Sequence, residues 1–404
     1  MLQSNNKSLL LVSPQLPFPV DNGGREAIHG ALVELAKNYE ITFIYFGETH
    51  SEVHKIKNVT FMCLGELKST GFMFILKCLL SLKHYKFEKY FNDQCKTLQL
   101  PEKHYDAVIS FHPHVSKCTE TLLKFNNIKN SIKILRSMNV ESKIVDLYIR
   151  ENYTSIYYVL LPIIYIATRH EKNIWRKYDK IIHISDADYS EASKLIDGRV
   201  ASHSVVYDGI DHPRFPFKKI FNESDKKIIL PVNLSAEQNR LNLKTFLLKY
   251  WQPIARDLRG RLKLTITGAN GDNVKKIIGP KNYQILKGTL EPVGFVRNYD
   301  EFINGNLVIS ATFVGAGMRK KITRAISNDA AILMSDYDFC SVQYFSHLSN
   351  ATFASPAEFS TLIREFEKNK SLFVARQCKL QRELIKRYSW ANFANEVECL
   401  LNPL

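Results

Sequence analysis

The chain has 404 residues, 45% hydrophobic and 24% charged, so it exceeds one ordinary core and two domains of about 200 residues are expected. A net charge of +15 points to an anionic partner: nucleic acid, an acidic membrane leaflet or a phosphate-rich substrate. Seven scattered cysteines without a C-x-x-C pair exclude a disulfide framework and a zinc site, and fit reduced thiols in a cytoplasmic protein.

The apolar run Leu9–Val12 stops at Ser13 and Pro14. It is too short for the core of a signal peptide and reads as a first buried strand. "SPQLPFPVDNGG" then leads into "GGREAIHGALVELAKNY", where Leu32, Leu35 and Ala36 share a helical face. Next come the strand "EITFIYFG" and the segment Gly71–Phe91, in which Phe, Ile and Leu mix with Lys77, Lys83, Lys86 and Lys89. As a helix that segment is amphipathic and basic, suited either to an anionic interface or to its own domain. "YDAVISFH", "IKILRS" and "KIIHIS" continue the strands. "SIYYVLLPIIYIAT", Ser155–Thr168, is apolar but carries Pro162. A spanning helix needs roughly 20 apolar residues, so a buried, kinked helix is expected.

Turn and proline chemistry at "VVYDGIDHPRFPF" breaks the alternation. It restarts with "KIILPVNL", a helix through Trp251, then "LKLTITG", "YQILKG", "GNLVISA" and "AAILMSD". Short apolar strands alternating with helices argue for parallel sheets wrapped by helices. The expected fold class is therefore α/β with two Rossmann-like domains facing across a cleft. The expected boundaries are 1–206 for the first domain and 207–384 for the second, with the tail 385–404 beyond them. Ligands of such sheets bind at loops beyond the strands' carboxyl ends.

Those loops hold the chemistry. "VGAGMRKKITRAISND" follows a strand with Gly315 and Gly317, then Arg319, Lys320, Lys321 and Arg324. Cations at a helix N-terminus oppose its macrodipole unless an anion neutralises them, and glycines let backbone N–H groups approach that anion. This is not a P-loop, since the G-x-x-x-x-G-K-[ST] pattern is missing. Gly23 and Gly24 repeat the strand–glycine–helix logic. His112 and His114 end a strand at the same edge and can supply a general base. They lack a third ligand at diagnostic spacing, so no metal is expected. Asp186 and Asp188 could hold a metal–diphosphate, but Ser185 before them reads as a helix N-cap with the two acids in the first turn. Nucleic acid is not expected, because no recognition module or aromatic-interleaved basic strip is present.

The order of these pieces, "GG", "RSMNVES", "ISDAD", "YDGID", "VGFV" and "GAGMRKKITRAISNDAAIL", resembles the GT-B glycosyltransferases of the family-4 type over nearly the whole chain. The resemblance implies a cytoplasmic enzyme that moves a sugar from a nucleotide-sugar donor to a polysaccharide, lipopolysaccharide or lipid-linked glycan. It implies retention at the anomeric carbon, no metal or other cofactor, and a final helix, 385–404, that packs back on the first domain; the basic surface and the segment Gly71–Phe91 suit a peripheral position on the anionic inner membrane face. Donor binding falls to Gly294, Phe295, Val296, Gly315, Gly317, Met318, Arg319, Lys321 and Arg324, and the acceptor side to Gly23, Gly24 and Arg25. Catalysis falls to His112, His114 and Glu141; the family's catalytic-region histidine aligns with His112 or with the position of Phe111. Three departures stand out. The family's ribose-binding glutamate is Arg324, its earlier acidic position is Ala316, and the histidine before Asn139-Val140-Glu141 is Met138. A guanidinium donates where a carboxylate accepts. The pocket therefore either grips a more anionic donor, such as an acidic sugar held by Arg324, or holds ribose differently, or has lost catalysis, which would make the chain a silent homologue serving as a binding subunit of a glycan synthase.

Overall fold

The structure, a computed structural model, describes residues 7–20, 23–48, 50, 56–65, 91–152, 155, 157–196, 202–211, 226–234, 237–313, 320–340, 342 and 349–402. It divides into two compact units, Met1–Gly209 with Trp390–Leu404, and Ile210–Ser389. The segment Gly71–Phe91 lies outside the described residues except for Phe91.

The first unit holds a seven-stranded parallel sheet: β1 (Ser8–Val12), β2 (Glu40–Tyr45), β3 (Val59–Cys63), β4 (Ala107–Phe111), β5 (Ile132–Ser137), β6 (Lys180–His183) and β7 (Ser202–Val205). Their spatial order is β3-β2-β1-β4-β5-β6-β7. The second unit holds β8 (Ile228–Pro231), β9 (Leu264–Thr267), β10 (Leu290–Gly294), β11 (Leu307–Ser310), β12 (Ala331–Ser335) and β13 (Thr352–Phe353). There the order is β10-β9-β8-β11-β12-β13, with every pair parallel. Helices cover both faces of such sheets, which is why central strands such as β1, β4 and β12 are buried along their whole length. In both sheets the order reverses beside the first strand, the place where this topology binds ligands.

The helix Gly23–Leu35 packs Ala27, Ile28, Ala31, Leu32 and Leu35 inward. The last helix, Trp390–Leu401, joins that core through Trp390, Phe393, Val397 and Leu401. Its Trp390 ring dictates two glycines: a Cβ at Gly30 would fall 2.1 Å from the ring, and one at Gly209 2.5 Å from it. Phe393 and Phe111 sandwich the fully buried Arg136, their ring centres 5.0 and 5.1 Å from its guanidinium carbon. Arg136 pairs with the buried Asp208. Burial pulls the Arg136 pKa down, and the Asp208 carboxylate opposes that pull.

Two sequence expectations need correction. "YQILKG" is not a strand: Pro280 follows Gly279 and starts the helix Pro280–Leu286, with the strand arriving later as β10. Proline suits a helix's first position, whereas Pro292 obscured the strand in the sequence. The stretch Ser155–Thr168 is not buried. It opens the helix Tyr157–Trp175, with Pro162 inside, and its first half is open to solvent: Tyr158 is 83%, Val159 75% and Tyr165 65% exposed. Apolar composition signals a preference to leave water but does not say against what. Among the described residues, no helix is long and apolar enough to cross a membrane.

Candidate active site

In the first unit, neighbouring loops bring His112, His114 and Glu141 together. β4 and β5 pair in register, Phe111 opposite Arg136, so the turns after them leave the same sheet edge side by side. His112 takes the first position after β4 with φ 93°, a conformation that costs a non-glycine residue energy and is found at sites that fix a side chain's aim. Its N–H donates to the Arg136 carbonyl at 3.0 Å. The turn Pro113–Val115 then carries His114 back, and the two imidazole centres stand 4.1 Å apart.

Glu141 begins the helix Glu141–Asn152, where the macrodipole favours a carboxylate. Its Oε1 lies 3.1 Å from His112 Nε2, and its Oε2 lies 3.7 Å from His114 Nε2. A second carboxylate fixes that helix end. Fully buried Glu171 accepts the N–H groups of Glu141 and Ser142 at 2.8 and 3.0 Å and the Ser142 hydroxyl at 2.6 Å. Burial raises its pKa to about 7, against the pull of those hydrogen bonds. The result is a partly exposed carboxylate–imidazole cluster that can take, hold or orient a proton. The ligand atoms of its three residues lie within 4.8 Å of one another, so the set could also hold a metal ion, a capacity that spacing alone did not reveal.

Gly23 and Gly24 open their helix beyond β1, which neighbours β4 in the sheet. Arg25 Nη1 donates to the Pro19 carbonyl at 3.4 Å. Asp186 and Asp188 form the expected cap: Ser185 Oγ accepts from the Asp188 N–H at 3.1 Å, and Tyr207 donates to Asp186 at 2.7 Å.

In the second unit, Gly315, Gly317, Met318 and Arg319 lie outside the described residues, but both ends of their loop are described. Fully buried Asp338 accepts the Ser310 hydroxyl at 2.5 Å and the Thr312 N–H at 3.0 Å. Asn242 accepts the Phe313 N–H at 2.9 Å, and the Phe313 ring stacks on Tyr250 at 4.9 Å. Asp338 and Asn242 were missed in the sequence. The one available signal was an aspartate soon after β12, indistinguishable from an ordinary helix-start acid. Beyond the loop, Lys320–Ser327 is a helix with Lys321 in its first turn. Gly294 ends β10 with φ 70°, and Phe295 after it is 88% exposed while Val296 is partly covered.

Arg324 does not stand as an unmatched cation. Its Nε donates to Asp300 Oδ1 at 2.5 Å, and its guanidinium lies 5.1 Å from the Tyr299 ring centre. Asn328 donates to the same Asp300 oxygen at 3.2 Å. The cation at this position is thus paired with an acid on the helix Tyr299–Ile303.

No protein-family model matches the sequence, and no curated protein matches it. Solved structures do match. HepE of Anabaena, in complex with UDP and glucose, superposes with a TM-score of 0.61 at 11% identity, covering 97% of this chain and 99% of that one. The E. coli trehalose-6-phosphate structure bound with UDP-2-fluoro glucose gives 0.62 at 14% identity, covering 98% and 99%. The α,α-trehalose-6-phosphate synthase of Burkholderia multivorans gives 0.62 at 12%, covering 98% of each chain. With parallel sheets of seven and six strands, these likenesses show that the chain has the GT-B fold.

Proposed function

We propose that the chain is a glycosyltransferase that moves a sugar from a nucleotide-sugar donor to a polysaccharide, lipopolysaccharide or lipid-linked glycan. The observation that carries this reading is the His112–His114–Glu141 cluster, with Glu141 3.1 Å from His112, at the carboxyl edge of the first sheet. It supplies acid–base groups to an acceptor hydroxyl. The like-folded structures hold UDP with glucose or UDP-2-fluoro glucose, which supports a nucleotide-sugar as the other substrate.

On this reading, Gly315, Gly317, Met318, Arg319 and Lys321 hold the donor's diphosphate, the two cations neutralising its charge, and exposed Phe295 offers a face to its base. Gly23, Gly24 and Arg25 meet the acceptor. Cations and a helix N-terminus stabilise the leaving group without a metal, and the anomeric configuration is retained. The enzyme works at an anionic membrane surface on the cytoplasmic side. Pairing of Arg324 with Asp300 removes the motive for an acidic-sugar donor, since the local charge is already balanced.

The direct test is a thermal-shift screen against UDP, GDP, CMP and ADP and their sugar conjugates, followed by turnover with EDTA present. A ligand that binds the folded chain alone raises its Tm. A shift with one nucleotide and EDTA-resistant turnover support the reading, whereas EDTA-sensitive turnover would transfer the cluster to a metal-dependent role. One observation favours a second reading, a silent binding homologue: a guanidinium occupies the position from which the resembled family's carboxylate accepts ribose hydroxyls. Nucleotide binding with no turnover toward any acceptor would support it.

A further inference from the structure

The exposed half of the helix Tyr157–Trp175 has no role in the site above. Tyr158, Val159, Leu161, Ile163 and Tyr165 are 83%, 75%, 41%, 38% and 65% exposed. From Tyr157 to Thr168 the helix carries no charged residue. Singly exposed apolar residues are ordinary, but a continuous stretch on one helix marks a contact surface. Its length decides between kinds of contact. The run is too short to span a bilayer, and the structure shows that it is not a core helix. An interfacial helix is the remaining use for such a segment.

Helical spacing sharpens this. Tyr158, Leu161, Pro162 and Tyr165 recur at three- and four-residue steps along one face. The same face continues through Arg169 and Lys172 to Arg176, just past the helix end, with Arg169 and Arg176 exposed. At the other end Arg150 lies 4.8 Å from the Tyr157 ring centre and is paired with Asp146 at 2.8 Å, so the cations that count here are those from Arg169 onward. An aromatic and aliphatic strip that runs into cations at one end matches the layering of an anionic bilayer: acyl boundary under the strip, tyrosines at the interface, phosphates beside Arg169, Lys172 and Arg176. Pro162 adds a limit on depth. It lacks the N–H that would satisfy the carbonyl one turn back, at Tyr158, and that carbonyl needs water or a headgroup. Charge also separates the bilayer from a second copy of the chain, which carries the same overall net charge of +15 and would be repelled where an anionic surface is attracted.

We infer that the exposed face of residues 158–176 is the surface by which the protein docks in the plane of an anionic membrane. This deepens the membrane placement proposed above but does not depend on sugar transfer.

The experiment is co-sedimentation of the full chain, without donor, with phosphatidylcholine vesicles and with mixed phosphatidylcholine–phosphatidylglycerol vesicles. The wild type should sediment with the mixed vesicles. The combined variant Tyr158→Ser, Val159→Ser, Tyr165→Ser should lose binding while keeping its far-UV spectrum and its nucleotide-induced thermal shift. Arg169→Glu with Lys172→Glu should weaken binding to mixed vesicles alone, by roughly fivefold for each cation removed. Tyr158→Trp should show a blue-shifted emission when vesicles are added. Equal sedimentation of the serine variant and the wild type would overturn the inference. So would a wild type that ignores mixed vesicles but forms dimers that the serine variant cannot form. A retained thermal shift beside lost vesicle binding keeps the donor reading apart from this one.

Discussion

The two units share a topology but differ in the side chains their described loops carry. Every histidine among the described residues belongs to the first unit, including the His112–His114 pair and the buried His183–His203 pair; the described residues of the second unit contain none. The described part of the second unit instead presents Lys321 in a helix's first turn, Arg324 bonded to Asp300, and Asp338 bonded to the Thr312 N–H. A parallel sheet with this strand order offers the same kind of loop edge in both places. What differs among the described residues is the side chains beside that edge: an imidazole–carboxylate cluster in the first unit, and lysine and arginine in the second, which in the proposed function serve an acceptor hydroxyl and a diphosphate.

The comparison is broken most directly at the first unit's cluster. His112→Ala or Glu141→Gln should lower turnover by about 10²–10⁴-fold while the nucleotide-induced Tm shift persists. Loss of nucleotide binding in either variant would mean that the two units do not divide the work. Arg136→Ala strands the buried Asp208 and should cost about 3–5 kcal/mol of stability, read by urea unfolding as early loss of the first unit's signal. The paired exchange Arg136→Met with Asp208→Leu should recover part of that loss.

Acid should also separate the units. His183 Nε2 and His203 Nδ1 stand 2.9 Å apart on β6 and β7. Burial lowers their pKa values to about 3 and about 4, with His203's charge adding to the effect on His183. Because both values are depressed, the unfolded chain binds the extra protons. The pair's contribution is complete above the ordinary histidine pKa of 6.5 and is lost as pH falls from there toward 3. The slope is on the order of 1.4 kcal/mol per pH unit for each group while the difference lasts. Glu171 runs the other way. With its pKa raised from 4.5 to about 7, its contribution is complete below 4.5 and lost as pH rises through 7. Two histidines outweigh one glutamate between pH 4.5 and 6.5, and below 4.5 nothing from Glu171 offsets the histidines' loss. The first unit should therefore unfold first on acidification, and His183→Phe should flatten that limb. Simultaneous acid loss of both units would contradict the assignment.

Smaller effects sharpen the second unit. Asp338→Ala leaves the Thr312 N–H and the Ser310 hydroxyl without their acceptor and should cost about 1–3 kcal/mol, with a raised KM for the donor. Arg324→Ala removes a partly exposed ion pair and should change stability by no more than about 1 kcal/mol. If it abolished nucleotide binding, Arg324 would be a donor ligand in its own right and not the partner of Asp300.

Legibility followed the range of the interactions. Strands such as "SLLLV", "AVISF" and "AILMS" were plain because burial on both faces forces continuous apolar runs. The Ser185 cap was plain because its partners lie within one turn. β3 and β7 escaped notice because edge strands are buried less and read as loop. Asp338, Asn242 and the Arg324–Asp300 pair escaped because each bond joins residues more than 20 positions apart, and nothing local demands such a partner. The face Tyr158–Tyr165 was misjudged for the same reason, since its sequence records only that it is apolar.

By itself the sequence determined the α/β class, the second run of alternating strands and helices, and which loops carry glycine, histidine and cation. Those are consequences of short-range pattern: hydrophobic period, turn residues and charge placement. Only the tertiary structure decided that His112 and His114 meet Glu141, that Arg324 is answered by Asp300, and that an apolar helix faces solvent. Side chains far apart in the chain become neighbours through strand order and register, and those emerge only when the whole sheet is assembled.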